Sequence, residues 1–174
     1  MGNYPLRGKK TTNNVDEYLD ALRHRLIKMT PKQKVLEELS TLGFSDEDAV
    51  EIVEDLEYEG YLNDTEYISA YLHKKQRIIG YASTLIRENL INQGLPDELI
   101  TAVFEAESAE KKDAQNSITL AQKYLTRELG NDITDPNWVD AALTRTQAKL
   151  ARRGYGEDMI NAAIREACGK ILDQ

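Results

Sequence analysis

At 174 residues the chain is long enough to bury a real core, and its net charge of −8 argues against a protein that lives mainly by coating phosphates. Its single cysteine, Cys168, excludes an intramolecular disulfide framework and a cysteine-based zinc site, and fits a reducing compartment. No apolar run approaches the roughly 20 residues that span a bilayer, and the first residues do not resemble a signal peptide, so a soluble, cytoplasmic protein with no membrane partner is expected.

Leu, Ala, Glu, Lys and Ile dominate the long segments, Pro and Gly are sparse, and no strand-like alternation stands out, which predicts an all-α fold with short connections. Residues 1–14, with Arg7, Lys9 and Lys10, read as a mobile tail. A first helix is expected from about Val15 to Lys28, carrying Tyr18, Leu19, Leu22, Leu26 and Ile27 at helical spacing. Thr30 offers an N-cap oxygen and Pro31 a pre-set first-turn φ, so a second helix begins there and ends at Gly43. Ser45 caps a third, which ends near Gly60.

The phrase Gly60, Tyr61, Leu62, Asn63, Asp64 is the most distinctive in the chain. Gly60 can take the left-handed conformation, Tyr61 and Leu62 can fold back onto apolar surface, and Asn63 with Glu66 makes a capping box for a fourth helix. That helix is expected from Asp64 to about Arg77 with Tyr67, Ile68, Tyr71 and Leu72 inward. Gly80 permits the turn into a fifth helix ending at Gly94, and Pro96 opens a sixth. A seventh spans about Glu110 to Leu129, a break runs from Gly130 to Pro136, an eighth carries Trp138, Val139, Leu143 and Leu150 to Gly154, and a ninth finishes the chain.

Three of these turns are copies of one pattern. Leu39, Leu90 and Leu150 stand four residues before Gly43, Gly94 and Gly154, and Phe44, Leu95 and Tyr155 follow the glycines. Asp46, Asp97 and Glu157 come next, suited to helix N-termini where carboxylates face unpaired N–H groups. Apolar stripes then run through Ala49, Ile52 and Val53, through Ile100, Val103 and Phe104, and through Ile160, Ala163 and Ile164. Such a unit cannot bury its face alone, so tandem three-helix repeats are expected at about 15–59, 60–108 and 109–174, after the tail at 1–14.

Charge is strongly segregated along the chain. From Val35 to His73 there is no Lys or Arg, while twelve acids occupy the same stretch. Lys74, Lys75, Arg77 and Arg87 follow with no acid before Glu88, and Arg145, Lys149, Arg152 and Arg153 form a second basic cluster. A charge run is most often a solvated face, yet segregation on this scale suits docking to a charged assembly. Catalytic constellations are missing: His24 and His73 have no ligand partners at helical spacing, the Gly154, Tyr155, Gly156 turn follows no strand, and no phosphate or calcium loop can be assembled. A protein that is not an enzyme and has no cofactor, metal or small-molecule substrate is expected.

Three phrases in order carry a likeness to a known family: GYLND at 60–64 with Tyr67 following, the basic passage Lys74 to Gly80 running into Leu85 to Gly94, and LARRGY at 150–155 before an acidic helix start. In these the chain resembles the RecX family, bacterial regulators of the RecA recombinase, from about Ala21 to Ala167. The resemblance implies three tandem three-helix units in a curved, elongated array. It also implies a partner, the RecA filament on DNA, with ATP hydrolysis, strand exchange and co-protease activity lowered, and weak contact with single- or double-stranded DNA. Where the family commonly has an arginine-rich entry to the first Gly-Phe turn, this chain has Lys28, Met29 and Thr30 before an acidic helix. Partner contact is therefore expected through Lys74, Lys75, Arg77, Arg87, Arg145, Lys149, Arg152 and Arg153. Gly43, Phe44, Gly60, Tyr61, Asn63, Asp64, Tyr67, Gly94, Gly154 and Tyr155 are expected to serve the fold. The competing expectations are a helical adaptor for another protein and a direct DNA binder, the latter disfavoured by net charge.

Overall fold

The computed structural model describes residues 19–23, 30–129 and 136–172. The expected tail with Arg7, Lys9 and Lys10, both ends of the first helix, His24, and the break from Gly130 to Asp135 lie outside the described residues. All regular structure among the described residues is helical: 19–23 (α1), Lys32–Thr41 (α2), Asp46–Tyr58 (α3), Asp64–Leu72 (α4), Ser83–Ile91 (α5), Asp97–Ala106 (α6), Ala109–Leu129 (α7), Pro136–Ala151 (α8) and Glu157–Leu172 (α9). Between α4 and α5 the segment His73–Ile79 is wound as a π-helix.

The four helix-ending glycines Gly43, Gly60, Gly94 and Gly154 all have φ between 80° and 88°. In each, the N–H of the following residue reaches back across the last turn. Phe44 N donates to Leu39 O (3.2 Å), Tyr61 N to Leu56 O (2.8 Å), Leu95 N to Leu90 O (3.3 Å) and Tyr155 N to Leu150 O (3.4 Å). The glycine N–H takes the carbonyl three residues back, for example Gly43 N to Ser40 O at 3.0 Å. This is the Schellman closure, which satisfies carbonyls that a helix end leaves unpaired.

The residues form two compact units, one up to Ile68 together with Leu90–Ile100, the other Ser69–Asn89 together with the residues from Thr101 onward. In the first, α2 packs on α3 over a core of Leu19, Leu22, Val35, Leu39, Ile52 and Leu56, with Leu62 closing it and Tyr61 and Phe44 packed against its edge. Each such side chain contributes about 1.5–3 kcal/mol by leaving water. Arg23 on α1 forks onto Glu59 at the end of α3, with Nε to Oε2 at 3.0 Å and Nη2 to Oε1 at 3.3 Å. Pro31, and not Thr30, occupies the N-cap position of α2 with φ −62° and ψ 146° and supplies no side-chain cap. The missing acceptor comes from Asp64, whose Oδ1 takes Lys32 N at 3.0 Å. Pro31 cannot itself donate or accept through a side chain, so the cap is delivered from the start of α4.

Ser45 caps α3 by accepting Asp48 N at 3.1 Å, and Asn63 Oδ1 caps α4 by accepting Thr65 N (3.1 Å) and Glu66 N (3.2 Å). Tyr67 is buried, and its hydroxyl donates to Gln93 Oε1 at 2.5 Å. In the second unit α7 is the spine, packed against α8, α9 and the π-helical segment, with Ala121, Leu125, Leu150, Ile160, Ala163 and Ala167 at the centre.

A Cβ added at Gly154 would lie 2.5 Å from Leu85 Cβ and 3.3 Å from Leu85 N, whereas at Gly43 it would meet nothing within 4 Å. Gly43→Ala is expected to cost about 1 kcal/mol for the left-handed backbone alone and to lower Tm by about 3 °C. Gly154→Ala pushes on α5 backbone as well, and thermal melting of the two variants is expected to show at least twice the loss for position 154.

Candidate functional site

The second unit is organised around a buried carboxylate. Asp113 on α7 is 3 % exposed, and its Oδ2 accepts both Ser83 N (2.8 Å) and Ser83 Oγ (2.5 Å) at the first residue of α5. Its Oδ1 accepts Gln76 Nε2 at 2.8 Å, and the same nitrogen donates to Ala109 O at 2.7 Å. One carboxylate therefore caps α5 and holds the interior of the π-helical segment. The sequence predicts an ordinary helix through Arg77; the chain instead adds a residue per turn after Leu72. Within it Gln76 faces inward to Asp113, and Lys74, Arg77 and Ile78 stand outside, the last 78 % exposed. Gly80 ends it with φ 80°, and Tyr81 N reaches Lys75 O at 2.9 Å.

From this segment a strip of alternating cations and rings runs to α8. Lys75 Nζ lies 5.1 Å from the Tyr71 ring centroid and 5.6 Å from that of Tyr81. The Arg153 guanidinium is 5.9 Å from both the Tyr81 and Tyr124 rings. Lys149 Nζ is 5.3 Å from Tyr124, and the Arg145 guanidinium is 5.6 Å from Trp138. Arg145, Lys149 and Arg153 follow one another at four-residue intervals, about 6 Å of rise apart along a helix. The attraction of each cation to the negative face of a ring holds it in place without neutralising its charge. Glu128 on α7 does neutralise: Arg145 Nη1 donates to its Oε2 at 3.3 Å and Lys149 Nζ to its Oε1. The hydrogen bond from Lys149, and then that from Arg145, holds this carboxyl below the usual carboxylate range. Trp138 Nε1 donates to Glu128 O at 3.1 Å.

The turn that ends α8 is docked by its carbonyls: Ala82 N donates to Arg153 O and Thr84 Oγ1 to Gly154 O, each at 2.8 Å. Arg153 is half-buried and its Nη1 is buried without a hydrogen-bond partner. Tyr155 lies beneath, its hydroxyl donating to Gly80 O at 3.3 Å, and burial, with the Asp113 carboxylate adding to it, pushes the phenol well above its ordinary value.

Of the eight basic residues singled out in the sequence, Lys75, Arg145, Lys149 and Arg153 thus share one strip. Lys74, Arg77 and Arg152 are exposed and outside these ring contacts, and Arg87 is half-buried, its Nη2 donating to Thr101 Oγ1 at 2.7 Å and its guanidinium 5.8 Å from the Phe104 ring. From the sequence alone, Tyr71 and Trp138 have only places in the helical pattern of the fourth and eighth helices, and none of Tyr81, Tyr124 and Glu128 is singled out. The four-residue steps Tyr71 to Lys75, Tyr124 to Glu128 and Arg145 to Lys149 were available as a signal; the pairing of Tyr81 with Arg153 was not. His73 packs against Glu107, Nε2 to Oε2 at 3.3 Å, and Cys168 is partly buried on α9. Among the described residues no group of three or more His, Cys, Asp and Glu is placed to hold a metal ion, and no helix is long and apolar enough to cross a membrane. A shallow, open depression of about 420 Å³ between α8 and α9 is lined by Thr144, Gln147, Glu157 and Asn161 among others.

All regular structure among the described residues is helical, and ring contacts gather Lys75, Arg153, Lys149 and Arg145 into one strip. In sequence and in fold the chain is similar to the RecX regulatory proteins. It is 25 % identical over 149 residues to a regulatory protein RecX of Bacillus mycoides and 24 % identical over the same length to one of Bacillus cereus. These alignments take in 86 % of this chain and 53 % of the relatives, so the chain spans about half the length of the curated relatives it matches. The crystal structure of RecX from Lactobacillus salivarius superposes with a TM-score of 0.71 at 18 % identity, covering 90 % of this chain and 98 % of that one. A second RecX crystal structure gives 0.63 at 16 % identity, covering 87 % and 69 %. No family model matches the chain.

Two outcomes follow from the buried groups. Asp113→Ala leaves the Ser83 and Gln76 donors without their acceptor and is expected to destabilise by about 2–4 kcal/mol in denaturant titration. Tyr155, with its folded-state pKa raised above the ordinary value of 10, contributes stability that is fully present below about pH 10 and lost as pH rises through the folded value. Tyr155→Phe is therefore expected to flatten the alkaline fall of Tm above pH 10 relative to the parent.

Proposed function

We propose that this protein is a RecX-like regulator that binds the RecA recombinase filament on DNA in the cytoplasm and lowers its ATP hydrolysis, strand exchange and co-protease activity without catalysing a reaction itself. The observation that carries the reading is the likeness to RecX proteins along most of the chain, in sequence over 86 % and in fold over 90 %. The distribution of charge supports it. A recombinase filament offers nucleic-acid phosphates beside protein lobes, and a ligand with separate acidic and basic faces can engage both.

The basic face is the second unit's strip together with the exposed Lys74, Arg77 and Arg152. The acidic face is α3, where Glu47, Glu51 and Glu54 are exposed and Tyr58 stands 94 % exposed among them. An exposed aromatic within a carboxylate field suits a basic protein surface with an apolar centre. Arg145, Lys149 and Arg153 are held in place before any partner arrives, which lowers the ordering cost of binding.

The test is single-stranded-DNA-dependent ATP hydrolysis by the cognate RecA while the protein is titrated from well below stoichiometric amounts. Loss of hydrolysis is expected, and loss at very low ratios indicates blocked filament growth. The double reversal Lys74→Glu, Arg77→Glu leaves the buried Gln76 and Asp113 pairing intact and is expected to weaken inhibition at least tenfold and flatten its salt dependence. No effect of the folded parent protein on RecA, with selective capture of a different protein, would replace this reading with the adaptor one.

A further inference from the structure

The end of the strip on α8 differs from the rest. Trp138 is the only tryptophan of the chain and is 43 % exposed. Its indole N–H is tied to Glu128 O, and the Arg145 guanidinium lies by its ring, so the indole is fixed by partners that leave nearly half of it open to solvent. One turn further along α8, Lys149 sits against Tyr124, and Glu128 bridges Lys149 and Arg145 with one carboxylate oxygen to each. A carboxylate with its two oxygens on two cations occupies the place that a bridging phosphate oxyanion would take.

We propose that Trp138, Arg145 and Lys149 form a single-stranded nucleic-acid site, in which the indole stacks a base, the two cations take the adjoining phosphate, and Glu128 is an internal anion that the incoming phosphate displaces. An acidic peptide would satisfy the cations and leave the indole bare. A duplex would bring phosphates and keep its bases stacked on each other. An unpaired strand supplies a phosphate and an open π-face side by side, the combination that stacking platforms beside basic residues recognise. The ribose or deoxyribose is not read by anything in the strip, so single-stranded DNA and RNA are both ligands.

Glu128 sets the affinity. While it bridges Arg145 and Lys149 the three groups together carry one positive charge instead of two, and binding requires that both ion pairs be exchanged for contacts to phosphate. The site is therefore weak at rest and strongest toward a polyanion dense enough to outcompete one carboxylate. The inference takes over from the proposed function that the strip is a binding surface. Its test contains no RecA, so either can fail alone.

The experiment is titration of the full chain with a 20-nucleotide oligothymidylate, its uridine counterpart, a 20-base-pair duplex and polyglutamate, reading tryptophan fluorescence and, with labelled strands, anisotropy. Both single strands are expected to quench Trp138, and the duplex and polyglutamate are not. Glu128→Gln is expected to tighten single-strand binding roughly fivefold and to steepen the log–log salt slope by about 0.7 as the site gains one net positive charge. Trp138→Ala is expected to weaken binding about fivefold or more, with Trp138→Phe restoring most of it at unchanged Tm. Arg145→Ala is expected to weaken binding and to abolish the gain from Glu128→Gln. Binding without quenching, quenching by polyglutamate, or an affinity indifferent to Glu128→Gln in a folded variant each overturns the assignment.

Discussion

Four helix ends of this chain, at Gly43, Gly60, Gly94 and Gly154, depend on one backbone constraint, a residue with φ near 85° placed where the next N–H can reach a carbonyl five residues back. A side chain at such a position is strained by its own Cβ, which is why glycine stands there. The closure does more than stop a helix. It brings the residue after the glycine over the leucine that supplies the carbonyl, so Leu39 and Phe44, Leu56 and Tyr61, Leu90 and Leu95, and Leu150 and Tyr155 are paired by the same bond that ends the helix. At Gly43, Gly94 and Gly154 the direction of the next helix follows, because Asp46, Asp97 and Glu157 then fall on its first turn, facing its unpaired N–H groups.

Besides the glycine closure at Gly154, the second unit uses a buried carboxylate at the start of α5. A carboxylate taken from water costs several kcal/mol unless every lone pair finds a donor, and Asp113 finds Ser83 N, Ser83 Oγ and Gln76 Nε2. These donors lie 37 and 30 residues before Asp113 in the chain, so satisfying one group fixes α7, the start of α5 and the π-helical turn in a single arrangement. The segment that carries Gln76 to Asp113 and Ala109 is π-wound, and Leu72, four residues earlier, is buried as well. Lys75, the neighbour of Gln76, stands between Tyr71 and Tyr81.

The glycine turns and the helices they bound were legible because their signals are local. Gly43 with Leu39, Phe44 and Asp46 is a complete statement of a helix end and a helix start within eight residues, and its two further copies strengthen it. The stripes Ala49, Ile52, Val53 and Ile160, Ala163, Ile164 were readable for the same reason, and all six are buried. Thr30 misled because its residue type suits a cap, while the acceptor used, Asp64, is more than thirty residues away. The π turn left no mark in the hydrophobic pattern, since Gln76 reads as one more polar residue in a basic helix. The basic residues were visible as a list, but their grouping was not: Arg153 and Tyr81 meet only because Asp113 and the carbonyl of Arg153 itself hold the residues 81–84 in place.

A row of cations on one helix face is unfavourable on its own, because like charges at four-residue spacing repel. The strip resolves this in two ways. The tyrosine rings of residues 81 and 124 stand beside Lys75, Arg153 and Lys149 and attract each of them, and Glu128 offsets one of the two charges of Arg145 and Lys149 on α8. The rings attract these cations without cancelling their charge. The carboxylate can be exchanged, because its two hydrogen bonds are replaceable by those of any anion with two oxygens. In the binding role proposed for the strip, cations held wholly by rings would be permanently attractive to every polyanion, and the one carboxylate between Arg145 and Lys149 makes the attraction conditional on what arrives.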